Sequence, residues 1–195
     1  MSLSTKPDQA QVTRDKLVRL AREGFLRSGF DGLAMEGLVE QAGVTRGALY
    51  HHFRDKRHLF EAVVTSIEED LCRAIEQRVA SAASAWERLV RTCEAILDRL
   101  AGGDVHRVLL IDGKAVLGSD AWWRIHRAHV FGLLVASVAD AIDEGFVAEQ
   151  PPEALARLLW GVLSEAAEMR IHSTDAVSST EGSECVMWLL HSLAD

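Results

Sequence analysis

Val44-Thr45-Arg46-Gly47-Ala48-Leu49-Tyr50-His51-His52-Phe53-Arg54-Asp55-Lys56-Arg57-His58-Leu59 is the stretch whose reading decides the fold. Thr45 is placed to cap a short helix just after a Gly43-Val44 turn, because its hydroxyl can accept an otherwise unpaired amide of the first turn. Upstream, Met35 to Ala42 carries the apolar spacing of a second short helix that stops at Gly43. Two short helices joined by a tight glycine turn, the second bearing Thr, Arg, Tyr and His, form the pattern of a helix-turn-helix reader of DNA.

Working outward, the pattern stays helical. No run alternates β-branched and polar residues, and prolines occur only at positions 7, 151 and 152. A first helix is expected from about Gln9 to Ser28, with Leu17, Leu20, Ala21, Gly24 and Phe25 on one face. Asp55 is the expected cap of a long helix to about Val79, which carries an acidic patch at Glu68-Glu69-Asp70. Ser84 and Glu87 have the spacing of a capping box for a helix ending near Leu100. A short helical piece is expected over Asp104–Asp112. A long helix follows from Ser119 or Asp120 to about Glu144, ended by Gly145. Another opens at Pro151-Pro152 and reaches about His172. Residues 173–183, rich in Ser, Thr and Gly, read as a loop before a last helix over about Glu184–Leu193. The expectation is an all-α fold of about nine helices. An N-terminal three-helix domain (residues 1–57) precedes a C-terminal helical domain for ligand sensing and dimerisation (residues 58–195).

The charge distribution fits that division. The chain of 195 residues has a net charge of −8. Residues 1–57 hold ten Lys/Arg against seven Asp/Glu, net +3, and the remainder eleven against twenty-two, net −11. Screening confines charge interactions to about 10 Å at moderate salt, so a mildly basic head on an acidic body can still address phosphates. The cysteines Cys72, Cys93 and Cys185 are odd in number and widely spaced, which suits neither a disulfide framework nor a zinc site. The N-terminus lacks the apolar core of a signal peptide, and the longest apolar run falls far short of the roughly 20 residues of a membrane span. A cytoplasmic protein with no membrane role is expected. No Gly-x-Ser-x-Gly, phosphate-binding glycine loop or His-Glu-x-x-His occurs, so no catalytic residue, cofactor or metal is expected.

Residues 9–60 as a whole resemble the DNA-binding domain of the TetR (tetracycline-repressor) family of bacterial transcriptional regulators. The resemblance is carried by Ala42-Gly43-Val44-Thr45, Gly47, Leu49-Tyr50, His52-Phe53, Lys56 and Leu59, with Phe25 and Gly29-Phe30 upstream. It implies a homodimer on a palindromic operator of double-stranded DNA and a body that senses a small-molecule effector. One departure is visible. Leu33 and Ala34 stand where members often carry Thr or Ser, so a hydroxyl cap and one backbone contact are missing.

The expected DNA-contacting set is Thr45, Arg46, Gly47, Ala48, Tyr50, His51 and Lys56. Arg46 can pair bidentately with guanine, or with phosphate only. Gly47 costs about 1 kcal/mol inside a helix, which asks for a reason such as close approach to the groove wall. Tyr50 and His51 face outward, Leu49 and Phe53 face the core, and His52 packs. Lys56 opposes the dipole of its helix, which makes sense where an anion docks.

In the body, Trp122, His126, His129 and Leu133 share one helical face. With Trp86, Cys93, Trp160 and Met169 they are the candidates to line an effector cavity. Plain core with hydrogen-bonded histidines is the competing expectation, and His126, His129 and Cys93 lack a third partner for a metal. The helix from Glu153 is apolar almost all round, and the last helix offers Val186, Leu189, Leu190 and Leu193. These two helices are expected to build a four-helix bundle with a second copy. The alternative function is a helical small-molecule binder with no DNA role.

Overall fold

The computed structural model describes residues 6–172 and 176–194, with side chains at 9–172 and 181–194. The elements are α1 (Lys6–Gly32), α2 (Met35–Ala42), α3 (Arg46–His52), α4 (Lys56–Val79), α5 (Ala85–Leu100) and α6 (Gly103–His106), then a π-helical turn (Arg107–Asp112). They continue as α7 (Gly113–Leu117), α8 (Ser119–Ala128), α9 (Val130–Asp143), α10 (Pro152–His172) and α11 (Ala176–His191). The described residues contain no strand, only an isolated antiparallel bridge between Val147 and Ala194.

The chain divides into two compact units. One holds residues 1–67 and 107–122, the other 68–106 and 123–195. By packing, then, residues 58–67 and 107–122 group with the head rather than with the body.

The first unit is built on the amphipathic face of α1. Leu17, Ala21 and Phe25 are buried with Leu38, Leu49, Phe53, Leu59 and Phe60. Phe25, Phe30 and Phe60 form a three-ring cluster with centroids 5.0 to 5.9 Å apart. α1 turns sharply at Gly29, whose φ of 72° lies in the left-handed region that favours glycine. The π-helical turn closes over this bend. Arg107 donates to the carbonyls of Phe25 and Leu26, and Asp112 accepts the Phe30 N–H at 3.1 Å. Arg57 in turn donates to the carbonyls of Val116 and Leu117 at the end of α7.

The second unit packs α5, α9, α10 and α11 around Leu89, Ile96, Phe131, Leu134, Val138, Leu163 and Leu190, all within it. Ser84 caps α5 as expected, its Oγ accepting the Glu87 N–H at 3.1 Å. The Glu87 carboxylate completes the box one residue upstream of the expected place, on the Ala83 N–H at 2.7 Å.

Three element expectations are corrected. The piece expected to end at Asp112 runs on through α7 to Leu117, where Gly118 (φ 74°) stops it. The single helix expected from Ser119 or Asp120 to about Glu144 is broken at His129, which leaves helical geometry (φ −126°, ψ −113°). And α11 begins at Ala176, inside the stretch read as a loop. There tertiary packing overrides weak propensity: a Cβ on Gly182 would lie in van der Waals contact with the Ala166 backbone, 3.4 Å away, so α11 packs against α10 at this point. Residues 173–175 of that expected loop lie outside the described residues.

Candidate nucleic-acid interface

The geometry of α2, the turn and α3 follows from local chemistry. Gly43 adopts φ 62°, and the Gly43 and Val44 amides close onto Glu40 and Val39 carbonyls, ending α2. Thr45 is extended, and its Oγ1 accepts the Ala48 N–H at 3.1 Å. Ala34 precedes α2 with no side-chain cap, as the Leu33-Ala34 departure foretold. Leu49 and Phe53 are fully buried and pin the inner face of α3.

The outer face carries Thr45, Arg46, Gly47, Tyr50 and His51, all exposed, with Ala48 half-buried beside them. Arg46 lies 3.9 Å from Glu36 and 5.6 Å over the Tyr50 ring. A cup of about 180 Å³ between α2 and α3 is lined by Met35, Glu36, Val39, Glu40, Arg46, Leu49 and Tyr50. A Cβ at Gly47 would meet only Thr45 Oγ1, at 3.9 Å. Packing within the chain therefore gives no reason for glycine there. His52 is half-buried, edge-on to His51 at 5.4 Å. Burial, then the neighbouring His51 and Arg14, hold its imidazole below the usual histidine range.

Lys56 is less free than the sequence suggested. Its Nζ donates to the Asp31 carbonyl at 3.2 Å and sits 4.8 Å over the Phe30 ring. Asp55 caps α4, accepting the His58 N–H at 2.7 Å.

The seven body candidates do not converge. Trp122 belongs to the first unit, where its Nε1 donates to the Leu109 carbonyl at 2.7 Å and Lys114 lies over its ring. The expected stripe Trp122, His126, His129, Leu133 is thus dissolved, because the break at His129 changes the register after it. His129 Nδ1 donates to its own helix at the Ile125 carbonyl, 2.7 Å away. Trp86 meets His191 edge-on at 5.8 Å. Cys93 is buried in α5, and burial, then Glu94, push its thiol up to about 12. Met169 is exposed on α10. His126 and Trp160 do meet, with ring centroids 4.0 Å apart. Among the described residues no group of three or more His, Cys, Asp or Glu is placed to hold a metal.

Sequence reasoning missed four side chains. Glu36 pairs with Arg46, Trp123 and Phe131 flank His126, and Glu68 reaches His126. Glu68 read only as part of an acidic patch. The signal against that was its place one turn after Val64 on the stripe that continues through Leu71 and Ile75, all buried.

Between α10 and α11 lies an open apolar groove of about 750 Å³, lined in part by Gly161, Val162, Met169, Cys185 and Trp188. Leu158, Met169, Trp188 and Leu189 are exposed on these helices, Leu158 and Trp188 by 69% and 70%. Val186 and Leu190, expected on the same face, are buried within the protomer instead. No single helix among the described residues is long and apolar enough to cross a membrane.

Residues 17–63 match the family described as "Bacterial regulatory proteins, tetR family", and residues 86–193 match "Tetracyclin repressor-like, C-terminal domain". The HTH-type transcriptional regulator TtgR of Pseudomonas putida is 38% identical over 72 residues, 35% of this chain and 34% of that protein. The HTH-type transcriptional repressor KstR2 of Mycolicibacterium smegmatis is 31% identical over 83 residues, 43% of this chain and 40% of that one. The alignment thus spans well under half the length of these curated relatives. A TetR-family transcriptional regulator from Pectobacterium atrosepticum has a crystal structure that superposes with a TM-score of 0.77 at 33% identity, covering 97% of each chain. FadR from Bacillus subtilis, crystallised with stearoyl-CoA, shares the fold at 16% identity, TM-score 0.73, over 93% of this chain and 99% of that one. With a C-terminal match over more than half its length and a relative alike across nearly all of it, the chain belongs to the TetR family of bacterial transcriptional regulators.

Proposed function

We propose that the chain is a cytoplasmic homodimeric transcriptional repressor that leaves a palindromic operator when a small molecule binds its body. The observation that carries this reading is the split character of α3. Its inner face is locked by two fully buried side chains, while Arg46, Tyr50 and His51 stand exposed beside an unpacked Gly47. A helix serving only as a fold element has no need of a cation, a phenol and an imidazole on its outer face. In this reading residues 1–57 bind DNA and residues 58–195 sense ligand and dimerise. Thr45, Gly47 and Ala48 bring the helix against phosphate, Arg46 reads a base edge, and Tyr50 and His51 reach base or phosphate. Lys56, which gives one of its three N–H donors to the Asp31 carbonyl, offers the others to phosphate.

Dimerisation uses the exposed apolar face of α10 and α11. Large apolar residues with this exposure are unusual on a protein that stays monomeric. The two recognition helices must then stand about 34–36 Å apart to enter successive major grooves. An effector acting near His126 and Trp160 shifts α4 and changes that spacing. Coupling is reciprocal, so operator DNA weakens the effector to the same degree. The test is a mobility-shift titration with the DNA upstream of the chain's own gene, repeated across a salt series. Salt-steep binding to that DNA is expected. Binding equal to that on unrelated DNA refutes an operator, and no binding at any salt leaves the helical small-molecule binder as the reading.

A further inference from the structure

A carboxylate and an imidazole meet in the interior of the body, at the residue where α4 passes from one compact unit to the other. Glu68 and His126 are each 1% exposed. Glu68 Oε1 lies 2.8 Å from His126 Nδ1, and Oε2 accepts the Val130 N–H at 3.3 Å. Val130 opens α9, directly after the non-helical His129. One side chain from α4 therefore holds both sides of the break, the last turn of α8 and the first amide of α9. The His126 ring rests against Trp160 of α10, with the Trp123 and Phe131 rings 5.6 and 5.8 Å away.

Such a pair is a poor way to gain stability. Taking both groups out of water costs about what their contact returns, and apolar side chains of similar size commonly do as well or better. What the pair supplies is direction. A hydrogen bond fails within a few tenths of an ångström, whereas apolar packing tolerates repacking and slippage. The position makes that direction useful. α4 is one continuous helix, and the turns just before Glu68 bury Leu59, Phe60, Val63 and Val64 in the head's unit. Glu68 is its first residue in the other unit. Of the three consecutive acidic residues only Glu68 is buried. Glu69 is exposed and Asp70 half-buried.

We propose that Glu68 is a positioning residue that, with His126, pins the register of α4 to the α8–α9 break, so that the state of the body sets the recognition helix. This deepens the functional reading above and rests on it.

The decisive variant is the apolar double Glu68→Leu/His126→Phe. His126→Ala alone strands a buried carboxylate and tests only folding. Three readouts are compared with the parent: the thermal midpoint, operator affinity, and a spin-label distance within one chain. The labels sit at Glu40→Cys and Glu149→Cys, both exposed in the parent, with Cys72 and Cys185 replaced and buried Cys93 retained. Labelled protomers are diluted in excess unlabelled chain. The pin predicts an unchanged or higher midpoint, a shifted or broadened distance distribution, and operator binding weaker by about tenfold. An unchanged distribution overturns the proposal, as does operator affinity within about twofold of the parent, since the pair is then core and nothing more. If the double variant does not fold, Glu68→Met/His126→Leu, which also removes both polar partners, takes its place with the same outcomes. If the parent binds no DNA, the functional reading falls and the distance measurement alone decides the pin.

Discussion

Residues 44–59 and residues 119–144 are both short helical stretches rich in aromatic and basic side chains, yet they obey different rules. In the first, the turn, the caps and the two faces of α3 are set locally. Gly43 makes the turn, Thr45 caps α3, Asp55 caps α4, and the inner and outer faces of α3 fall where helical spacing puts them. In the second, the decisive partner is remote. The helix breaks at His129, where a Cβ on Gly132 would stand 2.8 Å from the Arg127 carbonyl, and the amide that opens α9 is taken by Glu68, 62 residues earlier in the chain. The proposed DNA-facing surface is specified mainly by its own stretch of sequence. The interior of the second unit is specified by contacts that pattern alone does not reveal.

The largest effect available to break this comparison is loss of the inner face of α3. Phe53→Ala should cost about 3–5 kcal/mol and abolish operator binding through unfolding of the head, which circular dichroism will read. A loss below about 1 kcal/mol would show that α3 is not held as described. On the outer face, Arg46→Ala should leave the thermal midpoint alone yet cost about 1–3 kcal/mol of discrimination between operator and altered operator. Equal weakening on every sequence would make Arg46 a phosphate contact only.

The exposed apolar face of α10 and α11 offers a second break. Trp188→Glu should convert dimer to monomer in sedimentation velocity at micromolar protein, without unfolding the chain, because Trp188 is 70% exposed in the protomer. A dimer that survives this change, and Leu158→Glu after it, is built elsewhere. Cys185 lines the same groove, so its labelling by a thiol reagent should slow as protein concentration rises.

Smaller effects sharpen the contrast. Thr45→Ala should cost about 1 kcal/mol as a lost cap, together with a modest loss of operator affinity. In the body, the Cys93 thiol is held at about 12 by burial, against an ordinary value of 9.0. The unfolded chain ionises this thiol first. Its contribution to stability is therefore complete below pH 9 and is lost above it, by about 1.4 kcal/mol per pH unit. Thermal melts at pH 8 and pH 10 should show a smaller drop for Cys93→Ala than for the parent. An equal drop would place that thiol in contact with water.

How much was legible follows the same line. The helix-turn-helix, its caps and the buried Leu49 and Phe53 could be read directly, since each depends on neighbours within four residues. The missing hydroxyl cap at Leu33-Ala34 could be read as well. Lys56 could not be read fully, because its partners Phe30 and Asp31 lie some 25 residues upstream. The body stripe failed because helical spacing assumes an unbroken helix, and the amide freed at the break finds its acceptor on a remote carboxylate. Trp122 went astray for a related reason: two adjacent tryptophans belong to different packing units, and nothing in Trp122-Trp123 tells which is which.

The central claim is that α3 lies in a DNA groove, once per protomer. The direct measurement is a titration of the parent and Arg46→Ala against the upstream DNA between 50 and 200 mM salt, roughly the range over which phosphate contacts lose several orders of affinity. Steep salt dependence in the parent, with sequence discrimination lost on removing the guanidinium, is the predicted result. Shallow binding that ignores both salt and Arg46 would contradict the account.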